Sequence, residues 1–378
     1  MMKNKINISK LSRLFSEENI NKNSDGKSSN KDNLINGLDT TVKYKKIGNY
    51  EIIYSINDKV MKNSYIVSPY NLIINYGREE IYKIGNKLTE MFYFTLINIL
   101  SIIFKITKID KNVYINNLLL STNFYTKEWD CITSNDMLNI ENDLKSEYKN
   151  HALVFRSVNK YANENLYEVL INKNWLKVSS RQVYLLKDKN KTVKRQNYKV
   201  DVKLLDSKRY LFVDINKDDD NQYKEAIKLY NKLYLEKYSE ENVQFNWKYL
   251  KKMNENNMIH MKFVFDKETN KNVGILGIIG SDNIITAPIV GYDTEIDIKE
   301  GIYRRIIIYI IKYAIDNNLE LNLSSGAPDF KKLRGLEPEI EYTFVKVDHL
   351  NFFRRSIWKI LSFFSINFYE KMLIKLKL

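Results

Sequence analysis

The order of apolar segments in this chain repeats. Runs of strand length and amphipathic runs of helix length alternate as strand, helix, strand, helix, strand, first within residues 113–186 and again within 284–347. The first series reads 113–120, 134–149, 151–158, 162–173 and 180–186. The second reads 284–290, 301–317, 319–323, 328–334 and 340–347. Little residue identity connects the two, so a duplication is inferred from order alone. Such alternation implies a sheet with helices on its faces. Runs at 210–215, 259–265 and 273–279 precede the second series, and the last two close a hairpin over the polar loop 266–272. The expected fold class is α/β (mixed α+β), with two units that each hold a mixed central sheet flanked by helices.

Composition sets the domain limits. Residues 1–48 are polar and read as a disordered tail, with Glu51–Tyr54 as the first strand. Domains are expected at 49–190 and 191–350, separated by the lysine-rich stretch Lys187–Lys199. Met91–Phe104 is the longest apolar run, broken by Thr95, Asn98 and Ser101. It is shorter than a bilayer span and reads as a buried helix. Residues 351–378 interleave Phe352, Phe353, Trp358 and Phe363 with Arg354, Arg355 and Lys359. This basic aromatic amphipathic helix suits either an anionic membrane surface or packing on the domain.

The net charge is +14, which invites nucleic acid, anionic lipid or an acidic carrier as partner. Lys, Asn, Ile and Tyr are abundant throughout, so compositional bias accounts for most of that charge. No nucleic-acid-binding motif accompanies it, and DNA is not an expected partner. Cys131 is the only cysteine, which excludes an internal disulfide and fits a cytoplasmic location, with the inner membrane surface as a peripheral one. The scattered His151, His260 and His349 lack metal-ligand spacing, and no metal is expected. Residues 1–20 lack the apolar core of a secretory signal.

The stretch Leu321–Gly335 carries most of the chemistry. An apolar strand enters the turn Ser324-Ser325-Gly326-Ala327, and a short basic helix starts at Pro328. Free N–H groups there, with Lys331 and Arg334 on one helical face, suit a phosphate or carboxylate. A capped surface helix with solvated lysines is the plainer reading. Gly301, at another strand-to-helix junction, permits close backbone approach to an anion, and Arg304 or Arg305 adds charge. Asp293 follows a strand end, and Glu341 and Tyr342 lie on the last strand. These three are the candidate acid–base groups toward an amine. No Ser-His-Asp or Cys-His arrangement is visible.

At these residues the chain resembles the FemAB-like proteins with two GNAT-type acyltransferase domains. The match rests on Leu321–Gly335, on Gly301-Ile302-Tyr303-Arg304 before it and on Glu341-Tyr342 and His349-Leu350 after it. Fainter echoes are Ser68-Pro69, Ser121-Thr122-Asn123, Phe155-Arg156-Ser157 and Arg181-Gln182-Val183-Tyr184. Of the family's pyrophosphate loop, Arg/Gln-x-x-Gly-x-Gly/Ala, only Gly301 fits, and Tyr303 replaces the small last residue.

The resemblance implies an N-acyltransferase with catalysis in the second unit. The acyl donor would be acyl-CoA or the acyl-phosphopantetheine of an acyl carrier protein, and the acceptor an amine. Asp293, Glu341 and Tyr342 would be catalytic. Gly301, Tyr303, Arg304, Ser324, Ser325, Gly326, Lys331 and Arg334 would hold the donor. An aminoacyl-tRNA-dependent transferase and a non-catalytic scaffold on an anionic membrane are the alternatives.

Overall fold

The computed structural model describes residues 5–25, 33–58, 63–82 and 86–376. Thirteen strands are formed: β1 (Ile35–Asn36), β2 (Thr41–Ile47), β3 (Tyr50–Asn57), β4 (Asn112–Ile115), β5 (Ala152–Val158), β6 (Leu176–Leu185), β7 (Tyr210–Asp214), β8 (Gln244–Phe245), β9 (His260–Asp266), β10 (Lys271–Gly280), β11 (Ile284–Tyr292), β12 (Glu320–Asn322) and β13 (Glu337–Lys346). β1 and β8 make a small ribbon, and the other eleven form one mixed sheet in the order β2-β3-β4-β5-β13-β6-β12-β11-β10-β9-β7.

The repeated sequence order becomes a repeated topology. β4 pairs in parallel with β5 across the helix Ser134–Glu147. β11 pairs in parallel with β12 across the helix Ile302–Asp316. The third strand of each series is then exchanged. β13, from the second, lies beside β5 of the first. β6, from the first, meets β12 of the second through the single pair Asn322↔Leu185. β6 and β13 are antiparallel neighbours at the centre. β5 is buried at every position and is apolar apart from Arg156 and Ser157, as suits a strand covered on both faces. The apolar core gathers in three clusters, led by residues such as Phe263, Phe155 and Ile306.

Four expectations differ from what is formed. Residues 1–48 are not a disordered tail throughout: Ile8–Asp25 is helical, Leu11 and Phe15 are buried, and β2 pairs along β3. Ile8, Leu11 and Phe15 have helical spacing that polar neighbours mask. β2 is an edge strand whose lysines face solvent, the usual guard against edge pairing. The lysine-rich stretch after β6 folds as two short helices, Lys189–Lys194 and Gln196–Val202, with Thr192 and Asp201 buried. For the helix 134–149 the sequence offers Ser134 as N-cap, but Thr133 caps it, its side chain forming a capping box with Asp136.

The fourth difference concerns Met91–Phe104. The helix runs from Lys87 to Ile106, long and apolar enough by length and composition to cross a membrane, and only 11% of its apolar window is buried. Its polar residues do not interrupt it, because each is tied off locally. Thr95 donates to the Met91 carbonyl at 2.9 Å, Asn98 accepts from Arg78 at 2.8 Å, and Ser101 meets the Tyr70 hydroxyl at 2.7 Å.

Candidate functional site

The exchange of β6 and β13 brings two charged side chains face to face inside the sheet. Arg181 on β6 and Glu341 on β13 are direct cross-strand partners. Arg181 Nε donates to Glu341 Oε2 at 2.9 Å. Asn322, the last residue of β12, donates Nδ2 to the other carboxylate oxygen at 2.9 Å. Glu341 has no exposed surface, whereas a fifth of the Arg181 side chain is reached by solvent. The pair is therefore open to solvent on the Arg181 side alone.

The rest of the Arg181 guanidinium joins both halves. Nη1 donates to Ser324 Oγ at 3.2 Å, and Nη2 to the Ser121 carbonyl at 3.0 Å and Thr122 Oγ1 at 3.1 Å. Arg156, at the end of β5, donates to the same Ser121 carbonyl at 3.0 Å and to the Leu120 carbonyl at 2.8 Å. Its remaining bond, at 3.3 Å, goes to Asn117 Oδ1. Every oxygen bonded to Arg156 is thus neutral, and burial pulls its pKa down. Two guanidiniums and one bonded carboxylate leave an excess positive charge, an arrangement suited to an anion or a developing oxyanion.

Backbone strain marks the same place twice. Ser157, the last residue but one of β5, and Ser324, two residues beyond β12, have left-handed φ values of 58° and 60°. Non-glycine residues rarely adopt this conformation. Ser324 is held there by its N–H, which donates to Asn322 Oδ1 at 2.8 Å. Lys331 pins the turn beyond: its Nζ donates to the carbonyls of Leu323 at 2.7 Å, Ser324 at 3.2 Å and Ser325 at 2.8 Å. Burial, with Arg181 adding to it, pulls the Lys331 pKa down to about 7.

The expected donor-holding cations are already engaged. Arg334 Nε donates to Asp201 Oδ2 at 2.6 Å, and its guanidinium lies over the Phe330 ring at 3.5 Å. Arg304 Nε donates to the other oxygen of Asp201 at 2.9 Å. Asp201, fully buried, is an internal anion between the two basic elements. Lys331 points at carbonyls, not at an open site.

The short helix Pro328–Leu333 has left-handed Ala327 as its N-cap and no side-chain cap bond, so neither Ser324 nor Ser325 caps it. Gly301 has φ +66 at the start of the helix Ile302–Asp316. Tyr303 packs against Phe330 and Tyr292.

Of the candidate acid–base residues, only Glu341 joins the cluster. Asp293, after β11, accepts from Lys232 Nζ at 2.6 Å. Burial alone would raise the Asp293 pKa, but the Lys232 bond, the Glu295 N–H and the charges of Lys232 and Lys271 together outweigh it, and the net shift is downward. Tyr342 faces the core beside Tyr167 and Phe344, with Lys177 Nζ 4.5 Å from its ring centre. Burial and then Glu370 push its hydroxyl pKa up. The residues that assemble the site are therefore the echoes in the first unit, Ser121, Thr122, Arg156 and Arg181, meeting Ser324 and Glu341 from the second. For Arg156 the sequence signal is an arginine inside a mostly apolar strand run, whereas Arg181, flanked by Ser179, Ser180 and Gln182, gives no such signal. Among the described residues no group of three His, Cys, Asp or Glu could hold a metal ion.

No protein-family model matches the sequence, and no curated protein matches it. Solved structures do. The C-terminal domain of a putative lysylphosphatidylglycerol synthetase from Agrobacterium fabrum aligns with 94% of this chain and 96% of its own, at a TM-score of 0.51 and 8% identity. Looser likenesses include FemX, with a TM-score of 0.47, 8% identity and coverage of 66% of this chain and 83% of its own. A tandem GNAT protein from the clavulanic acid biosynthesis pathway gives 0.38, 8%, 64% and 76% in the same order. The likeness to the synthetase domain, at 8% identity, shows the fold alone: this chain has the fold of that domain over nearly its whole length. Within this fold, Arg181 and Glu341 meet where the two strand–helix series join in one sheet.

Proposed function

We propose that this chain is an acyltransferase that joins an activated acyl or aminoacyl group to an amine or hydroxyl at the solvent-reached side of Arg181. The observation that carries the reading is the excess buried positive charge of Arg156 and Arg181 over Glu341, partly open to solvent where the halves meet.

Attack on an ester or thioester carbonyl gathers negative charge on its oxygen. A guanidinium already oriented by Glu341 and Ser324 stabilises that charge without reorganising. Glu341 is then a positioning residue, since both its oxygens already accept hydrogen bonds. Lys331 fixes the Ser324 turn. The left-handed Ser324 hydroxyl, half-buried, is aimed by Arg181 and is the candidate contact to the acceptor.

Asp201 occupies the place between Arg304 and Arg334 that the resemblance gave to the donor's anion. That favours a donor recognised through a larger carrier, a carrier protein or a tRNA, over free coenzyme A. The test is label transfer from acetyl-coenzyme A, acetylated carrier protein and aminoacyl-tRNA to a pooled set of amines and alcohols. Transfer from at least one donor, lost in Arg181→Ala, supports the reading. Equal transfer by Arg181→Ala overturns the site.

A further inference from the structure

Among the described residues, two apolar helix faces have no protein against them. On the helix Lys87–Ile106, Leu88, Phe92, Ile99, Ile102 and Ile106 recur every three or four residues, or at a sum of those steps, and are 51–76% exposed. The opposite stripe holds Ser101 and Phe104, which are buried, with Ile97 and Leu100 partly buried against the core. The helix therefore lies along the protein surface, apolar on both sides. In water the outer stripe is a liability of a kind folded proteins rarely keep without a partner.

The second face belongs to the C-terminal run of helices, Phe352–Phe364 and Glu370–Leu376 joined by a π-turn at 365–369. Ile357 and Trp358 pack inward, while Phe352, Phe353, Ile360, Phe363 and Phe368 are 50–75% exposed. The two faces begin at one joint. Buried Arg354 donates Nε to the Thr107 carbonyl at 3.0 Å and Nη2 to the Lys111 carbonyl at 3.0 Å. It ties the start of the second helix to the end of the first, so Ile106, Phe352 and Phe353 all lie beside the joint.

We propose that these two faces form a docking surface for an anionic lipid bilayer, with both helices lying in the plane of the interface. A spanning orientation conflicts with the inner stripe, whose Phe104 and Ser101 are held by the protein core. Charge selects the occupant. Lys87 and Lys105 stand at the two ends of the first helix, and Arg355, Lys359, Lys371 and Lys375 border the second face. Each helical run holds a single carboxylate, Glu90 and Glu370, and Glu370 accepts from Ser179 Oγ at 2.6 Å. Aromatic and aliphatic side chains bordered by cations match the acyl–headgroup boundary of an anionic leaflet. A second copy of this chain, with its own +14 charge, is a poor electrostatic match.

The test is co-sedimentation of the full chain with phosphatidylcholine vesicles, with or without phosphatidylserine at about a third of the lipid. The expected result is binding to the anionic vesicles, weakened by salt, and a loss of about ten-fold or more in Phe92→Glu/Ile99→Glu. Ile298→Glu, a control at an exposed isoleucine elsewhere, should bind as wild type does. A gentler variant covers misfolding of the double mutant: Ile99→Cys on a Cys131→Ser background, labelled with a polarity-sensitive dye, should shift to the blue on anionic vesicles. No binding by the wild type, undiminished binding by a folded double mutant, or an unshifted dye overturns the proposal. So does a stable dimer in light scattering that Phe92→Glu/Ile99→Glu dissolves, because the face then belongs to a second copy. Vesicle binding is read without any transfer assay, so its failure is separate from failure of the transferase reading.

Discussion

Arg181 and Glu341 are cross-strand neighbours that come from opposite halves of the chain and share a hydrogen bond of 2.9 Å. They meet because β6 and β13, the third strands of the two series, are antiparallel neighbours at the centre of the sheet. One ion pair thus links the topology to the chemistry. It joins the halves, and it orients the guanidinium that solvent reaches.

Breaking that pair from the acidic side should be expensive. Glu341→Ala leaves Arg181 without its carboxylate and Asn322 without its acceptor. A loss of about 3 kcal/mol is expected, the lower part of the range for a broken buried pair, because Arg181 keeps some solvent. The urea midpoint of the variant measures it. A change under about 0.5 kcal/mol would mean that solvent already compensates Arg181.

Asp201 supplies the second prediction. Asp201→Asn removes the charge that neutralises both Arg304 and Arg334, and a loss of about 3 kcal/mol is expected. The two guanidiniums should then take up an external anion. Inorganic phosphate is expected to raise the melting temperature of the variant by more than that of the wild type. Equal shifts in both proteins would contradict an internal anion at this position.

Two glycines separate steric from conformational need. A Cβ on Gly291 would lie 2.4 Å from the Leu229 carbonyl oxygen, so Gly291→Ala forces β11 away from the helix Asp220–Asn231. A loss of at least about 2 kcal/mol is expected in chemical denaturation. Gly301 has room for a Cβ, whose nearest neighbour would be 3.7 Å away, but its φ is +66°. Gly301→Ala should therefore cost only about 1–2 kcal/mol. The reverse ranking would show that the two positions are misread.

Asp110 gives the stability a pH signature. Burial pushes its pKa up to about 6, against the opposing hydrogen bonds from Tyr70 N–H and Ser68 Oγ. The unfolded carboxyl titrates near 4. Between about pH 4 and 6 the folded chain holds a proton that the unfolded chain has released, so stability falls as pH rises through that window. The contribution is complete below about pH 4 and lost above about pH 6, and is worth up to about 3 kcal/mol. Denaturation curves across that range, wild type minus Asp110→Asn, should isolate the slope. A flat difference would mean that Asp110 titrates alike in both states.

Much of this architecture was legible in the order of apolar runs. The hairpin of β9 and β10 and the helix Ile302–Asp316 follow from local periodicity. The exchange of β6 and β13 did not, because strand partners depend on contacts between distant residues that no local pattern encodes. Asp201 stayed hidden for the same reason: in a lysine-rich stretch a single aspartate reads as solvated. Lys331 and Arg334 lie on one short helix, but sequence cannot distinguish a cation waiting for a ligand from one satisfied by carbonyls or by Asp201. The helix Lys87–Ile106 misled in the other direction, since apolar composition signals burial without saying whether protein or lipid supplies it.

The most direct test of the central claim is a transfer assay run in parallel on wild type, Arg181→Ala and Glu341→Gln. Labelled acetyl-coenzyme A, acetylated carrier protein and aminoacyl-tRNA serve as donors, with a pooled set of amines and alcohols as acceptors. The account predicts transfer from at least one donor by the wild type. It predicts a fall of about a hundred-fold or more in kcat for Arg181→Ala, the scale of a lost oxyanion donor, and a smaller fall for Glu341→Gln. No transfer from any donor, or unchanged kcat in folded Arg181→Ala, would contradict it.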